Sequence, residues 1–197
     1  MFPDTNPVGP YHSGVGPERR GKLVIGLAGN ARSGKSTLAA GLALRLGGAV
    51  ASFGDAVRRR ATDLGLDATD RATLMELGQR WATEDPRELS REVLGSDQSR
   101  PDLLIVDGVR HVDVLDELRR FVPRFYLVYL SVPEDVVISR LDGQLDPRTH
   151  PSERDISHLG LEADVRITED EPVDDLVAAV VAAIGESEFR DMMMGPG

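Results

Sequence analysis

The feature that most constrains this chain is a glycine-rich loop between an apolar segment and a helical pattern. The loop has the pattern G-x-x-x-x-G-K-[ST] at every specified position, in the run Gly29-Asn30-Ala31-Arg32-Ser33-Gly34-Lys35-Ser36. Residues 23–28 before it are almost wholly apolar, which predicts a short strand buried on both faces. Leu38, Leu42 and Leu46 after it recur at helical spacing until two glycines end the pattern. The motif requires this order of strand, loop and helix.

A loop of this kind binds phosphate. Its backbone N–H groups turn inward, and the following helix adds partial positive charge at its N-terminus. Lys35 is expected to reach the β- and γ-phosphates, while the Ser36 hydroxyl binds Mg²⁺. The only other lysine among 197 residues is Lys22, so composition alone does not explain a lysine here. We therefore predict a site for ATP and Mg²⁺ over residues 29–37, with Thr37 as its last member.

Bulk composition excludes several classes of protein. A chain of 197 residues with 41% hydrophobic content fits one domain with a proper core. Its net charge of −10 argues against coating a nucleic acid polymer or an anionic membrane. The absence of cysteine excludes disulfides and thiolate metal sites, and no segment is apolar enough for a membrane span or a signal peptide. We expect a cytoplasmic protein that binds neither nucleic acid polymers nor membranes. Formation of a homodimer is left open.

The order of elements predicts an α/β fold with three layers, built on a five-stranded parallel sheet. Residues 1–21, rich in proline and glycine, are expected to form a flexible tail, and residues 186–197 a second one. The domain between them spans 22–185. Its strands are predicted at 23–28, 49–53, 103–106, 126–130 and 165–167, with a largely helical insert over 55–94 and a polar lid over about 142–158.

Polar residues that follow the predicted strands are candidates for the site, because ligands bind at the carboxyl ends of parallel strands. Asp107 after the third strand is expected to support the metal. Arg110 follows a glycine that lets the chain turn, so it can point back at an anion. Asp55 follows the second strand, and Arg58 or Arg59 one turn later could clamp an acceptor phosphate.

The polar segment carries basic residues suited to a closing lid. Arg140, Arg148 and Arg154 could stabilise charge on a phosphoryl group in transfer and exclude water, and His150 could touch the substrate. The histidines lack the paired spacing of a metal site, and no G-x-S-x-G motif supports a serine hydrolase.

The number of lysines and the length of the chain limit the class of P-loop protein. A GTPase needs a lysine in its base-reading motif, and none follows Lys35. A large motor or AAA-type ATPase is expected to need more chain for its appended subdomains. A kinase for a small acceptor remains, with a helical insert that grips the acceptor and a lid that carries arginines.

Four motifs in this order resemble the deoxynucleoside monophosphate kinases, within the wider nucleoside-monophosphate-kinase-like group. They are the P-loop, Phe53-Gly54-Asp55-Ala56-Val57-Arg58, Asp107-Gly108-Val109-Arg110 and His150-Pro151-Ser152-Glu153. The resemblance spans roughly residues 22–184 and implies transfer of the γ-phosphate of ATP to a nucleoside monophosphate. It also implies acceptor contacts from Asp55, Arg58 and Arg110, and a lid that contains Arg140 and residues 150–154, Glu153 included. Around Leu77–Trp81, where the family tends to have Gly-Thr-Glu, this chain departs from the pattern.

Two alternatives stay open. The acceptor could be another small metabolite, such as dephospho-coenzyme A, phosphomevalonate or a biosynthetic alcohol, or the chain could be a regulatory module that holds ATP without turning it over. An alcohol would need a nearby carboxylate as general base, for which Asp55 is the best-placed candidate; a monophosphate, with a second pKa of about 6, would not.

Overall fold

The computed structural model describes residues 22–96, 99–139, 155–168, 170–185 and 188–189. Within them the chain alternates between strands and helices. The strands are β1 (Leu23–Gly29), β2 (Ala49–Ser52), β3 (Leu103–Val109), β4 (Phe125–Leu130) and β5 (Val165–Ile167). The helices are α1 (Lys35–Leu46), α2 (Phe53–Asp63), α3 (Arg71–Glu84), α4 (Pro86–Leu94), α5 (Val112–Phe121), α6 (Glu134–Ser139), α7 (Ile156–Glu162) and α8 (Val173–Ile184).

The strands form one parallel sheet in the order β2-β3-β1-β4-β5. β1 lies at its centre and pairs with β3 on one side and β4 on the other. The loop after β1 therefore emerges from the middle of the sheet, beside the carboxyl end of β3. The five-stranded parallel sheet and the α/β class predicted from the sequence are confirmed.

Helices cover both faces of the sheet, which gives three layers. Leu23, Ile25 and Leu27 of β1 pack against α1 and α8 on one face. Val24 and Ala28 point to the other face, where α2 to α5 and α7 form the second half of the core. All seven residues of β1 are buried, because side chains of both orientations meet helices. This burial explains why the strand reads as a continuous apolar run.

Local hydrogen bonds divide the predicted helical insert into three helices. β2 ends one residue earlier than predicted, because the Ser52 hydroxyl accepts a hydrogen bond from the Asp55 backbone N–H and caps α2, which begins at Phe53. The carboxylates of Asp70 and Asp85 accept from backbone N–H groups at the starts of α3 and α4. Pro86 occupies the first turn of α4, where its missing N–H costs nothing.

Other boundaries also differ from prediction. β3 extends to Val109 rather than ending at Val106. Residues 156–158, predicted as part of the polar lid, begin α7, whose Ile156 and Leu159 are buried. The rest of that segment, with Arg140, Arg148, His150, Glu153 and Arg154, lies outside the described residues, as do the first 21 residues.

The domain extends beyond the predicted boundary at residue 185. Phe189 is buried in the same core cluster as α1 and α8, and Glu188 forms an ion pair with Arg124 at 2.6 Å. Burial of an aromatic ring stabilises this short stretch against the domain. Within the described parts of the chain, no helix combines the length and the apolar character needed to cross a bilayer.

We predict that Gly29→Ala strongly destabilises the protein. Gly29 has a φ of +136°, and a Cβ there would lie 1.8 Å from the Leu130 carbonyl oxygen of β4. The change should lower the free energy of unfolding by several kcal/mol or prevent folding, because neither backbone can yield without breaking the pairing of β1 with β4.

Gly65→Ala is the matched control. Gly65 also has positive φ, +69°, but open space surrounds its Cβ position, so only about 1–2 kcal/mol of backbone strain is expected. Chemical denaturation of both variants measures the difference. Equal losses in the two variants would contradict this account of Gly29.

Candidate functional site

A cavity of about 1080 Å³ lies at the carboxyl ends of the strands. The P-loop forms one side of it, and the insert helices α2, α3 and α4 form the other. The end of β3 and the segment between β5 and α8 complete the wall. Single-ligand pockets are usually about 300–1,000 Å³, so this cavity has room for a nucleotide together with a second small molecule.

The P-loop holds its lysine in a fixed position. Lys35 is only 8% exposed, and its Nζ donates to the backbone oxygens of Gly29 at 3.0 Å and Asn30 at 2.5 Å. The Ser33 hydroxyl lies 3.3 Å from the same nitrogen. A buried ammonium is stable only when oxygens replace its hydration shell, and the loop itself supplies them. The positive charge is therefore held at the cavity wall before any ligand arrives.

The loop also contains an unusual backbone conformation. Arg32 has a φ of +62° and is the only residue other than glycine with positive φ among those described. Left-handed backbone at a residue with a side chain is typical of functional loops that the surrounding structure holds in place. Ala31 to Thr37 all line the cavity, as predicted for the nucleotide site, whereas Gly29 and Asn30 lie behind them and hold Lys35.

Ser36 and Asp107 meet although 71 positions separate them in the sequence. The Ser36 hydroxyl donates to Asp107 Oδ2 at 2.7 Å. This contact brings the start of α1 next to β3 and places on the cavity wall the two oxygen-bearing side chains that the sequence analysis assigned to a metal.

The same pair of oxygens fits Mg²⁺ better than a more demanding cation. Among the described residues there is no group of three or more histidine or carboxylate side chains that could hold a metal. Mg²⁺ commonly takes one or two protein oxygens and completes its octahedron with water and phosphate oxygens.

Arg110 reaches the cavity through a β-bulge rather than through the predicted sharp turn. Gly108 has a φ of +92°, and the pairing of β1 with β3 skips it, from Leu27 opposite Asp107 to Ala28 opposite Val109. The extra residue re-aims the strand end, as bulges do, and Arg110 lines the cavity.

The structure separates the three polar candidates on α2. Asp55 and Arg58 form an exposed ion pair at 2.8 Å, and Arg58 lines the cavity whereas Asp55 does not. Arg59 turns away and pairs with Glu92 of α4 at 3.0 Å, in a different cleft. Adjacent residues of a helix point about 100° apart, so only one of the two arginines can face the site. We therefore remove Arg59 from the candidate site and treat Asp55 as a residue that positions Arg58.

Charge in the cavity contrasts with charge on the whole chain. Its basic lining residues outnumber the acidic ones although the net charge is −10. The basic residues are Arg32, Lys35, Arg58, Arg71 and Arg110, and the acidic ones are Asp107, Asp170 and Glu171. The cavity therefore suits anionic ligands.

The sequence did not mark several lining residues, among them Arg71, Gln79 and His111. Arg71 opens α3 directly after its capping Asp70, a position that no motif marks. His111 follows Arg110, and Gln79 lies in the stretch where the chain departs from the resembled family. That departure was the one available signal, and it pointed to the acceptor side of the cavity.

His111 is a buried histidine in contact with a carboxylate. Its Nδ1 lies 3.4 Å from Asp155 Oδ2, and its side chain is 14% exposed. Burial lowers the pKa of His111 below its ordinary value of 6.5, and nearby Arg110 lowers it further. Asp155 and Asp113 oppose this shift, but burial has the larger effect.

A second cleft lies at the opposite, amino-terminal edge of the sheet. It contains many arginines, but carboxylates offset them: Arg59 pairs with Glu92, and Arg124 pairs with Glu188. Arg60 approaches Glu88 at 3.9 Å and stacks over Trp81. Several arginines of this cleft are therefore held in ion pairs with carboxylates.

Comparison with known proteins assigns the chain to a family. A family model described as an AAA domain matches residues 25–158, which is more than half of the chain. The chain belongs to this family. A curated relative, a UPF0200 protein of Methanothrix thermoacetophila, is 30% identical over 118 residues, or 60% of this chain. The match spans 64% of that relative, a little under two thirds of its length.

Solved structures of small-molecule kinases share the fold. The APS kinase of Mycobacterium tuberculosis, in complex with AMPPNP and APS, matches with a TM-score of 0.53 and 20% identity, over 83% of this chain and 97% of that one. Shikimate kinase of Aquifex aeolicus matches with a TM-score of 0.56 and 17% identity, over 82% and 96%. A gluconokinase of Sinorhizobium meliloti 1021 gives 0.53 and 19%, over 90% and 100%.

These findings confirm one prediction and correct another. The predicted P-loop kinase fold is confirmed by the similarity to these kinase structures. The expectation that the chain lies outside the AAA-type proteins is wrong at the level of the family, because the matching family carries that description. The narrower resemblance to deoxynucleoside monophosphate kinases is not specified by either comparison.

We predict that His111 makes stability depend on pH in mildly acidic solution. Between pH 6.5 and the lowered pKa in the folded protein, the unfolded chain binds a proton at His111 that the folded chain does not. The contribution of His111 to the free energy of unfolding is therefore fully present above pH 6.5 and is lost as the pH falls below that value.

His111→Gln should flatten this part of the profile, measured as the free energy of unfolding from pH 8 to pH 5. His158→Gln, at an exposed position on α7, is the control and should retain the slope that depends on His111. A wild-type slope in His111→Gln would contradict the prediction.

Proposed function

We propose that this protein is an ATP- and Mg²⁺-dependent phosphotransferase that moves the γ-phosphate to a small phosphorylated acceptor, most directly a nucleoside monophosphate. The observation that carries the proposal is a single cavity with the P-loop lysine on one side, Arg58 and Arg71 of the insert helices on the other, and Arg110 at the end of β3. Two separate groups of cations suit two anionic ligands brought together.

The P-loop side supports binding of ATP. Lys35 is fixed by oxygens of its own loop, and residues 31–37 surround the start of α1, where backbone N–H groups and the helix dipole favour phosphate. The APS kinase that shares the fold was solved with an ATP analogue, AMPPNP. Ser36 and Asp107 would hold Mg²⁺, and a bound Mg²⁺ would neutralise charge on the phosphate oxygens.

The acceptor side supports a ligand that already carries a phosphate. Arg58, Arg71 and Arg110 could bind its oxygens through charge-assisted hydrogen bonds. The same cavity is also lined by apolar side chains that suit a flat ring: Val57, Leu74, Met75, Leu89 and Val114. Arginines together with an apolar lining match a nucleotide better than a polyhydroxylated sugar.

The reaction needs little covalent chemistry from the protein. The acceptor phosphate is mostly ionised at neutral pH and attacks the γ-phosphorus directly, while the bond to the ADP oxygen breaks. Lys35 and Arg110 would stabilise the charge that spreads over the transferred group. Arg140, Arg148 and Arg154, with His150 and Glu153, stay predicted lid residues that would close over it.

A kinase for a non-nucleotide metabolite is the second candidate. Proteins named as gluconokinase and shikimate kinase share the fold, which favours a wider range of acceptors. Against an alcohol acceptor, Asp55, its expected general base, does not line the cavity. A regulatory module that binds ATP without turnover is the remaining alternative.

We predict that Lys35→Ala abolishes most phosphotransfer. Loss of a positioned cation should cost about 2.7–4 kcal/mol of transition-state stabilisation, or about 100- to 1,000-fold in kcat. Lys22→Ala is the matched control, because it removes the other lysine at the opposite edge of the sheet. Formation of ADP against a panel of monophosphates and alcohols is the measurement. Tight ATP binding by the wild type without turnover of any acceptor would instead favour the regulatory module.

We predict that Arg58 and Arg59 differ although they are neighbours. Arg58→Gln should raise the KM for the acceptor about ten-fold or more, because a charge-assisted hydrogen bond to phosphate contributes about 1.5–3 kcal/mol. Arg59→Gln should leave the KM for the acceptor within about two-fold of the wild-type value, because this arginine pairs with Glu92 outside the cavity. The opposite ranking would refute the proposed acceptor side.

Asp55→Asn gives a third readout of acceptor chemistry. If Asp55 acts by holding Arg58 at 2.8 Å, the change should raise KM several-fold with little loss of kcat. A collapse of kcat alone would point to an alcohol acceptor and a general base. Steady-state kinetics with the best acceptor from the panel separates the two outcomes.

A further inference from the structure

His111 is a titratable cavity residue that the proposed transfer from one phosphate to another does not use. It lines the cavity directly after Arg110. Its backbone oxygen accepts a hydrogen bond from the Leu115 N–H at 3.1 Å, so His111 is the N-cap residue of α5. An acceptor phosphate is mostly ionised at neutral pH and attacks without the help of a base. A histidine at this place is therefore left without a task in that reaction.

Asp155 orients the imidazole ring of His111. The carboxylate lies just before α7, and its Oδ2 is 3.4 Å from His111 Nδ1. Because a carboxylate accepts hydrogen bonds, we assign the hydrogen of the neutral ring to Nδ1 and the lone pair to Nε2. The distance is long for a hydrogen bond, but contacts of this kind are commonly long before substrate binds. A histidine that a carboxylate orients through Nδ1 is the usual arrangement of a general base.

The other ring nitrogen, Nε2, is accessible to a ligand. Nδ1 makes the contact with Asp155, and Nε2 has no hydrogen-bond partner among the residues that the structure describes. It is not fully enclosed either, because Gln79 Oε1 is the one described side-chain atom that is both enclosed and unpaired. An accessible lone pair in a cavity wall can accept a hydrogen bond from a hydroxyl group.

The ring is neutral at physiological pH. Burial and the charge of Arg110 lower the pKa of His111 below 6.5, against the opposing effects of Asp155 and Asp113. The N-terminus of α5 acts in the same direction as burial, because its partial positive charge disfavours an imidazolium ion. The ring can therefore take up a proton at neutral pH.

We propose that the cavity has a second activity, transfer of the γ-phosphate of ATP to a hydroxyl group of a small phosphorylated acceptor, with His111 as the general base. The inference rests on the ATP site of the proposed function, but not on attack by the acceptor phosphate. The hydroxyl oxygen forms a bond to the γ-phosphorus while the bond from that phosphorus to the ADP oxygen breaks. The hydroxyl proton passes to His111 Nε2 and from there to water.

This assignment supplies the base that an alcohol acceptor needs. Asp55, the base expected from the sequence, does not line the cavity, whereas His111 does. Arg58 and Arg71 would bind the phosphate that the acceptor already carries. Ribonucleotides carry a phosphate and ribose hydroxyls in one molecule, so a single acceptor of this class can reveal both activities.

The test supplies the wild-type protein with ATP, Mg²⁺ and acceptors that carry both a phosphate and a hydroxyl group. They are AMP, CMP, GMP, UMP, dephospho-coenzyme A and glycerol 3-phosphate. Phosphorus NMR of the products identifies the group attacked. A phosphate on a hydroxyl gives a new phosphomonoester signal, whereas a phosphate on a phosphate gives the coupled signals of a new anhydride. We expect a new phosphomonoester from at least one acceptor.

His111→Ala should lower kcat for the hydroxyl transfer about 100- to 10,000-fold, the range for loss of a general base. Imidazole added to the buffer should restore part of the rate, because it can occupy the space of the missing ring and accept the proton. His158→Ala, at an exposed position on α7, is the matched control. It should keep the wild-type rate and show no response to imidazole.

The pH profile is an independent readout of the same base. In the wild type, kcat for hydroxyl transfer should rise with pH through the lowered pKa of His111, below 6.5, and level off above it. Asp155→Asn should move this rise to lower pH, because Asp155 raises the pKa of His111. It should also lower kcat, but less than His111→Ala does, since the base itself remains.

The possible results separate this activity from the function beneath it. Formation of anhydride products alone would overturn the second activity and leave the proposed function intact. A phosphomonoester formed at the wild-type rate by His111→Ala would overturn the role of His111. A loss of rate that imidazole does not reverse, with an unchanged pH profile in Asp155→Asn, would assign His111 a structural role instead. No turnover of any acceptor would overturn the proposed function together with this activity.

Discussion

The organisation of the site depends on one buried cation. Lys35 donates to oxygens of the loop that carries it, so the ammonium and the loop hold each other in place. That arrangement requires Gly29 to pass within contact distance of β4, and it requires β1 to lie at the centre of the sheet. The central strand is in turn buried on both faces by helices, so the position of the charge is tied to the packing of the whole domain.

A second contact joins this loop to the rest of the cavity. The hydrogen bond from Ser36 to Asp107 spans neighbouring strand ends, and the bulge at Gly108 directly after it aims Arg110 into the same space. The start of α1 and the end of β3 thus form one rigid wall. The opposite wall consists of insert helices that begin at their own side-chain caps, Ser52, Asp70 and Asp85. The two walls of the cavity are thus built from separate parts of the chain, each fixed by its own local contacts.

The positions of the P-loop residues were predictable from the sequence, whereas those of the residues on the insert helices were less so, for physical reasons. A P-loop is local: its glycines, lysine and serine are consecutive, and the backbone geometry follows from them. Asp107 was predictable because parallel strands end at one edge of the sheet. Arg59 was not separable from Arg58, since one residue of helix start decides which of them faces the cavity. Gln79 and Arg71 come from a helix whose position depends on packing against α2 and α4, and no local pattern encodes that.

The contrast between global and local charge has a bearing on how anions reach the site. At physiological salt the screening length is about 8 Å. Most of the charges that make up the net charge of −10 therefore have little effect on a small anion in the cavity. At the cavity wall, water is partly replaced by protein, and the field of the buried Lys35 is screened less. A chain with an acidic surface can therefore still present a positively charged cavity to small anions. The surface charge acts against a long polyanion, which would contact many surface positions, more than against a small anion, which would contact only the cavity.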